Sequence, residues 1–226
     1  MANPPKRVSV FVDGFNLYHA LITSRHKFLP GQPNQPIYEK PYAKYRWLNL
    51  RALASQFIGR DEILNQIHYF TAYIPWDQQA QARHAVYVAA LHSVGVSTVL
   101  GNFQKKDKRC LAQCRQTFQT YEEKMTDVNI AITLMKSCVK DEHDIAFIIS
   151  GDNDLKPALE TAISLYPNKE IKILLPIEAK AKSMHQWGRD NNVSCIRINE
   201  NHLANSQLPT PIHYNGRILT KPPSWS

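Results

Sequence analysis

The sequence has no long apolar run. No stretch of its 226 residues approaches the roughly 18 consecutive apolar residues that a membrane-spanning helix requires. The N-terminal residues lead straight into the first predicted strand, without the apolar region of a secretory signal peptide. Four cysteines are too few for a dense disulfide framework, which fits a reducing compartment. We therefore expect a cytoplasmic protein that has no membrane partner, and we find no internal repeat or low-complexity tract.

The pattern of apolar residues is typical of an α/β protein. Hydrophobic residues make up 43% of the chain, enough for a substantial core. Short runs rich in β-branched residues alternate with helical patterns, which predicts a mostly parallel sheet with helices on both faces. Prolines interrupt residues 26–46, which we expect to form a loop. We predict one domain over residues 7–198, followed by a surface tail over residues 199–226.

The formal net charge is +8. A basic surface raises the local concentration of a polyanionic partner and speeds its encounter with the protein. Charge alone does not separate a nucleic-acid-binding protein from one that is basic for no specific reason.

Two segments far apart in the chain place aspartates directly after an apolar strand pattern. Asp13 ends the first pattern, whereas Asp152 and Asp154 follow the pattern of residues 145–149. The carboxyl ends of parallel strands meet at one edge of a sheet, so these acids converge if the strands are neighbours. Clustered carboxylates repel one another without a cation, and their oxygens suit a hard divalent metal. The alternative is that the aspartates only cap helices.

Asp127 begins a third segment of interest. We expect Thr126 to cap a helix over residues 126–139, which places Asp127 in its first turn. An acid there either complements the helix dipole or points into a site. Apolar residues cover much of the circumference of this helix, which predicts that it is well buried.

Together, these motifs resemble the NYN family, also called LabA-like, of the PIN-like nuclease superfamily. The resemblance covers about residues 7–198 and implies a PIN-like three-layer α/β/α fold. It also implies a ribonuclease that depends on Mg²⁺ or Mn²⁺, hydrolyses RNA and uses the aspartates both as catalytic residues and as metal ligands, with Asn16 as a catalytic polar partner. The matching segments are residues 11–17, 123–131 and 149–157, and the matching site residues are Asp13, Asn16, Asp127, Asp152 and Asp154.

Residues 101–121 form a basic insertion that contains two cysteines. We expect its cations to contact RNA phosphates, and the alternative is a solvated charged loop. Relatives in the resembled family often carry paired cysteines here, which suggests a small metal knuckle. Cys110 and Cys114 have a C-x3-C spacing without a second pair, so free thiols are favoured over a zinc site, which needs four ligands. The predicted RNA-binding residues are Lys105, Lys106, Lys108, Arg109 and Arg115.

Three functions are compatible with these sequence features. The first is a metal-dependent ribonuclease. The second is a non-catalytic RNA-binding or regulatory module that retains the acidic pocket. The third is a phosphatase or phosphotransferase that uses Asp13 as its nucleophile; it is weakened because Phe15 stands where a second acid would be expected.

Overall fold

The computed structural model describes residues 4–29, 32–110 and 115–225. The strands are β1 Lys6–Asp13, β2 Arg25–Leu29, β3 Gln32–Glu39, β4 Glu62–Thr71, β5 Ser97–Leu100, β6 Asn102–Arg109, β7 Thr117–Lys124, β8 Ile145–Ile149, β9 Glu170–Leu175, β10 Ser194–Arg197, β11 Ile212–Tyr214 and β12 Arg217–Leu219. The helices are α1 Gly14–Ile22, α2 Leu50–Ser55, α3 Gln78–Ser93, α4 Thr126–Val139, α5 Lys156–Leu165, α6 Lys182–Asp190 and α7 Glu200–Ala204. Across the described ranges, no helix is long and apolar enough to cross a membrane.

A six-stranded sheet forms the centre of the molecule. Its strand order is β10-β9-β8-β1-β4-β5, and every neighbouring pair is parallel. Side chains from α1, α2 and α3 pack on one face, whereas α4, α5 and α6 cover the other. β8 is buried along its whole length, as expected for a central strand covered on both sides. The predicted α/β/α architecture is therefore confirmed.

The N-terminal caps of two helices show how local sequence determines where a helix begins. One of the expected caps is wrong. Asp77 caps α3, because its carboxylate accepts a hydrogen bond from the backbone N–H of Ala80 at 2.9 Å. Thr126 does not cap α4. Instead, the carboxylate of Glu123 accepts from the backbone N–H of Thr126 at 3.1 Å and from its hydroxyl. An anion at this position also complements the positive end of the helix dipole.

The expectation that α4 is well buried is wrong for one of its faces. Ile130 and Leu134 lie in the core, but Val128 and Ile132 are 58% and 60% exposed. Apolar residues therefore occupy two sides of this helix, and only one of them packs on the sheet.

Residues 26–46 are not a continuous loop, because β2 and β3 form an antiparallel hairpin. A two-stranded hairpin consists only of edge strands, which tolerate proline, so Pro33 and Pro36 are compatible with β3. The basic insertion is also largely a hairpin, formed by β6 and β7.

The residues after Ile198 do not form a surface tail, at least up to residue 225. Leu203, Leu208 and Trp225 are at most 8% exposed and belong to the same core as β1 and α3. The ring of Trp225 packs edge-on against Trp47, with the centroids 6.3 Å apart. The prediction failed because these apolar residues are isolated among polar residues and prolines, so no periodic pattern marks them.

Candidate metal centre

Asp13 ends β1 and serves both as a helix cap and as part of a site. It is only 4% exposed. Its Oδ1 accepts from the backbone N–H of Asn16 at 3.0 Å, which caps α1. Its Oδ2 accepts from the hydroxyl of Ser150 at 2.9 Å. These two hydrogen bonds fix the orientation of the carboxylate at the carboxyl edge of the sheet.

The turn after β8 supplies the second acid. β1 and β8 pair with Val12 opposite Ile149, so the residues that follow both strands are adjacent. The Ser150 hydroxyl, which donates to Asp13, also accepts from the backbone N–H of Asp152 at 3.1 Å. The side-chain oxygen of Asn16 accepts from the backbone N–H of Gly151 at 2.9 Å, which ties α1 to this turn.

Asp127 joins the site from the first turn of α4. Asp13, Asp127 and Asp152 each offer a carboxylate oxygen, and these oxygens lie within 4.8 Å of one another. Asp154 lies outside this group and is exposed; its backbone N–H donates to Asp152 at 3.0 Å. The structure thus brings together three of the four aspartates in the predicted cluster, with Asn16 beside them.

The three acids are electrostatically uncompensated. Burial, together with the charges of Asp13 and Asp152, raises the pKa of Asp127 to about 6. Burial also raises the pKa of Asp13, although its hydrogen bonds to Asn16 and Ser150 oppose this effect. No lysine or arginine in the described part of the chain forms an ion pair with any of the three. A bound cation would relieve this repulsion, and an all-oxygen ligand set suits Mg²⁺ or Mn²⁺.

Sequence reasoning missed two contributors to the site. Ser150 bridges Asp13 and the backbone of Asp152, but a lone serine in a turn gives no signal in the sequence. The carboxylate of Glu123 adds to the charges that raise the pKa values of Asp13 and Asp127. Glu123 lies within the matching segment 123–131, so a further acid in this segment was the sequence feature that could have marked it as part of the site.

The basic hairpin of β6 and β7 begins beside this centre and extends away as an exposed ribbon. Near its base, Phe103 contacts Phe15, with ring centroids 5.5 Å apart. Further along, Lys106 and Lys108 both form ion pairs with Glu122, at 3.1 and 3.0 Å, so part of the positive charge is already balanced. Cys110 is a free thiol, and Cys114, the other cysteine of the predicted pair, lies outside the described residues.

Comparison with known proteins identifies the class to which this fold and site belong. The NYN domain family model matches residues 7–184, which is well over half of the chain. The chain therefore belongs to the NYN domain family and has its PIN-like fold. It is also similar to 6-hydroxy-3-succinoylpyridine 3-monooxygenase HspA of Pseudomonas putida (strain DSM 28022 / S16). The two are 25% identical over 264 aligned positions, which cover 98% of this chain and 76% of that protein.

Proposed function

We propose that this protein is a ribonuclease that uses Mg²⁺ or Mn²⁺ to hydrolyse phosphodiester bonds in RNA. The observation that carries the proposal is the convergence of Asp13, Asp127 and Asp152, whose oxygens lie within 4.8 Å of one another. Family membership supports a nuclease-like role for these acids. An ion held by these residues would lower the pKa of a bound water and neutralise charge on the phosphate.

The side chains of the site have two roles: some would bind the ion, and others hold these ligands in position. Asp127 and Asp152 are the more accessible of the three acids and would bind the ion together with Asp13. Ser150 and Asn16 hold Asp13 and the 150–152 turn in position through the hydrogen bonds described above. Such outer hydrogen bonds commonly change metal affinity about 10–100-fold when they are removed.

The bonding of Asp13 argues against its use as a phosphate-accepting nucleophile. Both of its carboxylate oxygens accept hydrogen bonds, and the side chain is almost fully buried. Each oxygen keeps a second lone pair that can bind a metal ion, but attack on phosphorus also requires the oxygen to reach the substrate in line with its leaving group, and burial hinders that approach. This arrangement therefore favours metal-dependent hydrolysis over a phosphoaspartate intermediate.

The basic hairpin would bind the RNA phosphates next to the acidic centre. Changing Lys105, Lys106, Lys108 and Arg109 to alanine should weaken RNA binding and flatten its dependence on salt, because fewer counterions are released. Glu122→Gln should have the opposite effect, because this acid pairs with three lysines of the hairpin. Filter binding of labelled single-stranded RNA over a range of salt concentrations measures both effects. If the dependence of RNA affinity on salt concentration is unchanged in both variants, the hairpin does not bind RNA phosphates.

The monooxygenase relative raises a second candidate function, which is oxidation of a small pyridine compound. The support is that the alignment with this relative covers nearly the whole chain. Against it stands the ligand set, because an all-carboxylate cluster differs from the two-histidine, one-carboxylate site typical of non-haem iron oxygenases. Incubating the protein with 6-hydroxy-3-succinoylpyridine, dioxygen and a nicotinamide reductant tests this candidate. Reductant consumption that depends on the pyridine would favour it.

The decisive experiment for hydrolysis compares two isosteric variants. Wild-type protein, Asp152→Asn and the control Asp61→Asn are incubated with end-labelled single-stranded RNA in Mg²⁺, in Mn²⁺ and in chelator. Asp61 is exposed and precedes β4, so it lies at the N-terminal ends of the parallel strands, whereas the acids lie at their C-terminal ends. We expect metal-dependent cleavage by wild type and Asp61→Asn, and its loss in Asp152→Asn. RNA binding without cleavage by wild type under either metal would instead identify a non-catalytic binding module.

A further inference from the structure

A separate cavity lies on the other side of the sheet from Asp127. It measures about 230 Å³ and opens between α1 and α3, whereas α4 covers the opposite face. Gly14 and Phe15, which follow Asp13, form part of its wall. The cavity therefore borders the end of β1 but contains none of the three clustered aspartates.

Several aromatic side chains line this cavity. Tyr69, Tyr87 and Trp225 are each at most 8% exposed, and all three line the cavity. The rings of Tyr69 and Tyr87 meet edge-on, and the hydroxyl of Tyr87 donates to the backbone carbonyl of Leu48 at 2.9 Å. Aromatic surfaces held in this way favour a flat ring as their occupant. A buried apolar cavity of about 150 Å³ is enough to take up benzene, so this one has room for a ring and a short substituent.

The charged residues in the lining of the cavity are basic. Arg46 and Arg83 contribute to the lining, and no aspartate or glutamate does within the described ranges of the chain. Burial lowers the pKa of His84 to about 4, so this lining residue is neutral at pH 7. A ligand in the cavity would therefore meet two arginines and no carboxylate among the described lining residues.

The two arginines differ in how their guanidinium groups are used. Arg46 donates to the backbone carbonyls of Ala43 and Ser224 and lies over the ring of Trp225, 5.4 Å from its centroid. Arg83 is half-buried on α3, and it forms no hydrogen bond or ion pair with any residue that the structure describes. Its planar, five-donor group is thus available for a carboxylate or a phosphate.

We propose that this cavity binds a small aromatic molecule that carries one anionic group. The ring lies among Tyr69, Tyr87 and Trp225, and the anion binds the guanidinium of Arg83. The proposal does not depend on RNA hydrolysis, because the cavity and the acidic centre use different side chains.

Titration calorimetry in chelator tests the proposal, because chelator prevents a probe from binding through metal at the acidic centre. The probes are benzoate, 3-phenylpropionate, phenyl phosphate and the uncharged analogue benzamide. We expect at least one anionic probe to bind and benzamide to bind at least about tenfold more weakly, since it lacks the charge-assisted hydrogen bond. Binding of phenyl phosphate alone would identify a phosphate ester as the class of ligand, whereas binding of the carboxylates would identify a free aromatic acid.

Variants locate the binding. Arg83→Gln should weaken binding of the anionic probe at least about tenfold, whereas the control Arg60→Gln, at an exposed site before β4, should not. Ala80→Leu should fill part of the cavity and reduce binding while keeping a strong helix former on α3. Thermal unfolding checks that each variant is folded. The proposal is overturned if no probe binds at millimolar concentration, if benzamide binds as tightly as the anions, or if folded Arg83→Gln binds like wild type.

Discussion

Replacing Asp127 by asparagine should stabilise the metal-free protein. The pKa of Asp127 rises from 3.8 to about 6, and each unit corresponds to about 1.4 kcal/mol. The full shift would amount to about 3 kcal/mol, but the side chain is only half-buried, and solvent screening reduces the expected effect to about 1 kcal/mol. Because the folded state holds this proton more tightly than the unfolded state, the free energy of unfolding decreases as pH rises from about 4 to about 6.

Thermal unfolding in chelator at pH 7 and near pH 4 measures this effect. At pH 7 we expect Asp127→Asn to melt about 2–4 °C above wild type, which corresponds to about 1 kcal/mol for a protein of this size. Near pH 4 the difference should shrink, because Asp127 is then protonated in the folded wild type. Adding Mn²⁺ should raise the melting temperature of wild type more than that of the variant. A variant that is less stable at pH 7 in chelator would show that Asp127 is a structural helix residue.

Three further substitutions test the packing and the site. Ser150→Ala removes the hydroxyl that holds Asp13 and should weaken Mn²⁺ binding about 10–100-fold in a calorimetric titration without unfolding the protein; unchanged affinity would contradict this positioning role. Trp225→Ala should cost about 3–5 kcal/mol in urea unfolding, because the ring is buried in the main core; a cost near zero would restore the idea of a surface tail. Gly14→Ala should cost about 1–3 kcal/mol, since its Cβ would lie 2.5 Å from the carbonyl oxygen of Phe70; wild-type stability would mean that the backbone relaxes freely.

The sequence predicted the elements whose signals are local and periodic. The strand at residues 145–149 and the helix at residues 126–139 were placed correctly because each shows a clear apolar pattern. The meeting of Asp13 and Asp152 followed from the rule that parallel strands share an edge, once their strands were assumed to be neighbours.

What the sequence could not predict depends on contacts between distant segments. Trp225 and Leu203 reach the core through a proline-containing chain that has no regular apolar period. The hydrogen bond from Ser150 to Asp13 connects the ends of the neighbouring strands β8 and β1. It depends on the register of these two strands, which the sequence does not show. The cavity beside Arg83 is assembled from α1, α3 and the C-terminal residues, so no single motif marks it.

The claim that the three aspartates hold a divalent cation can be tested by diffraction. Crystals of wild type and of Asp152→Asn, soaked in Mn²⁺, would be measured for anomalous scattering from manganese. We predict a strong peak among the carboxylates of Asp13, Asp127 and Asp152 in wild type, and a weak or absent peak in the variant. Wild-type crystals with manganese bound elsewhere but none at the three aspartates would contradict the account.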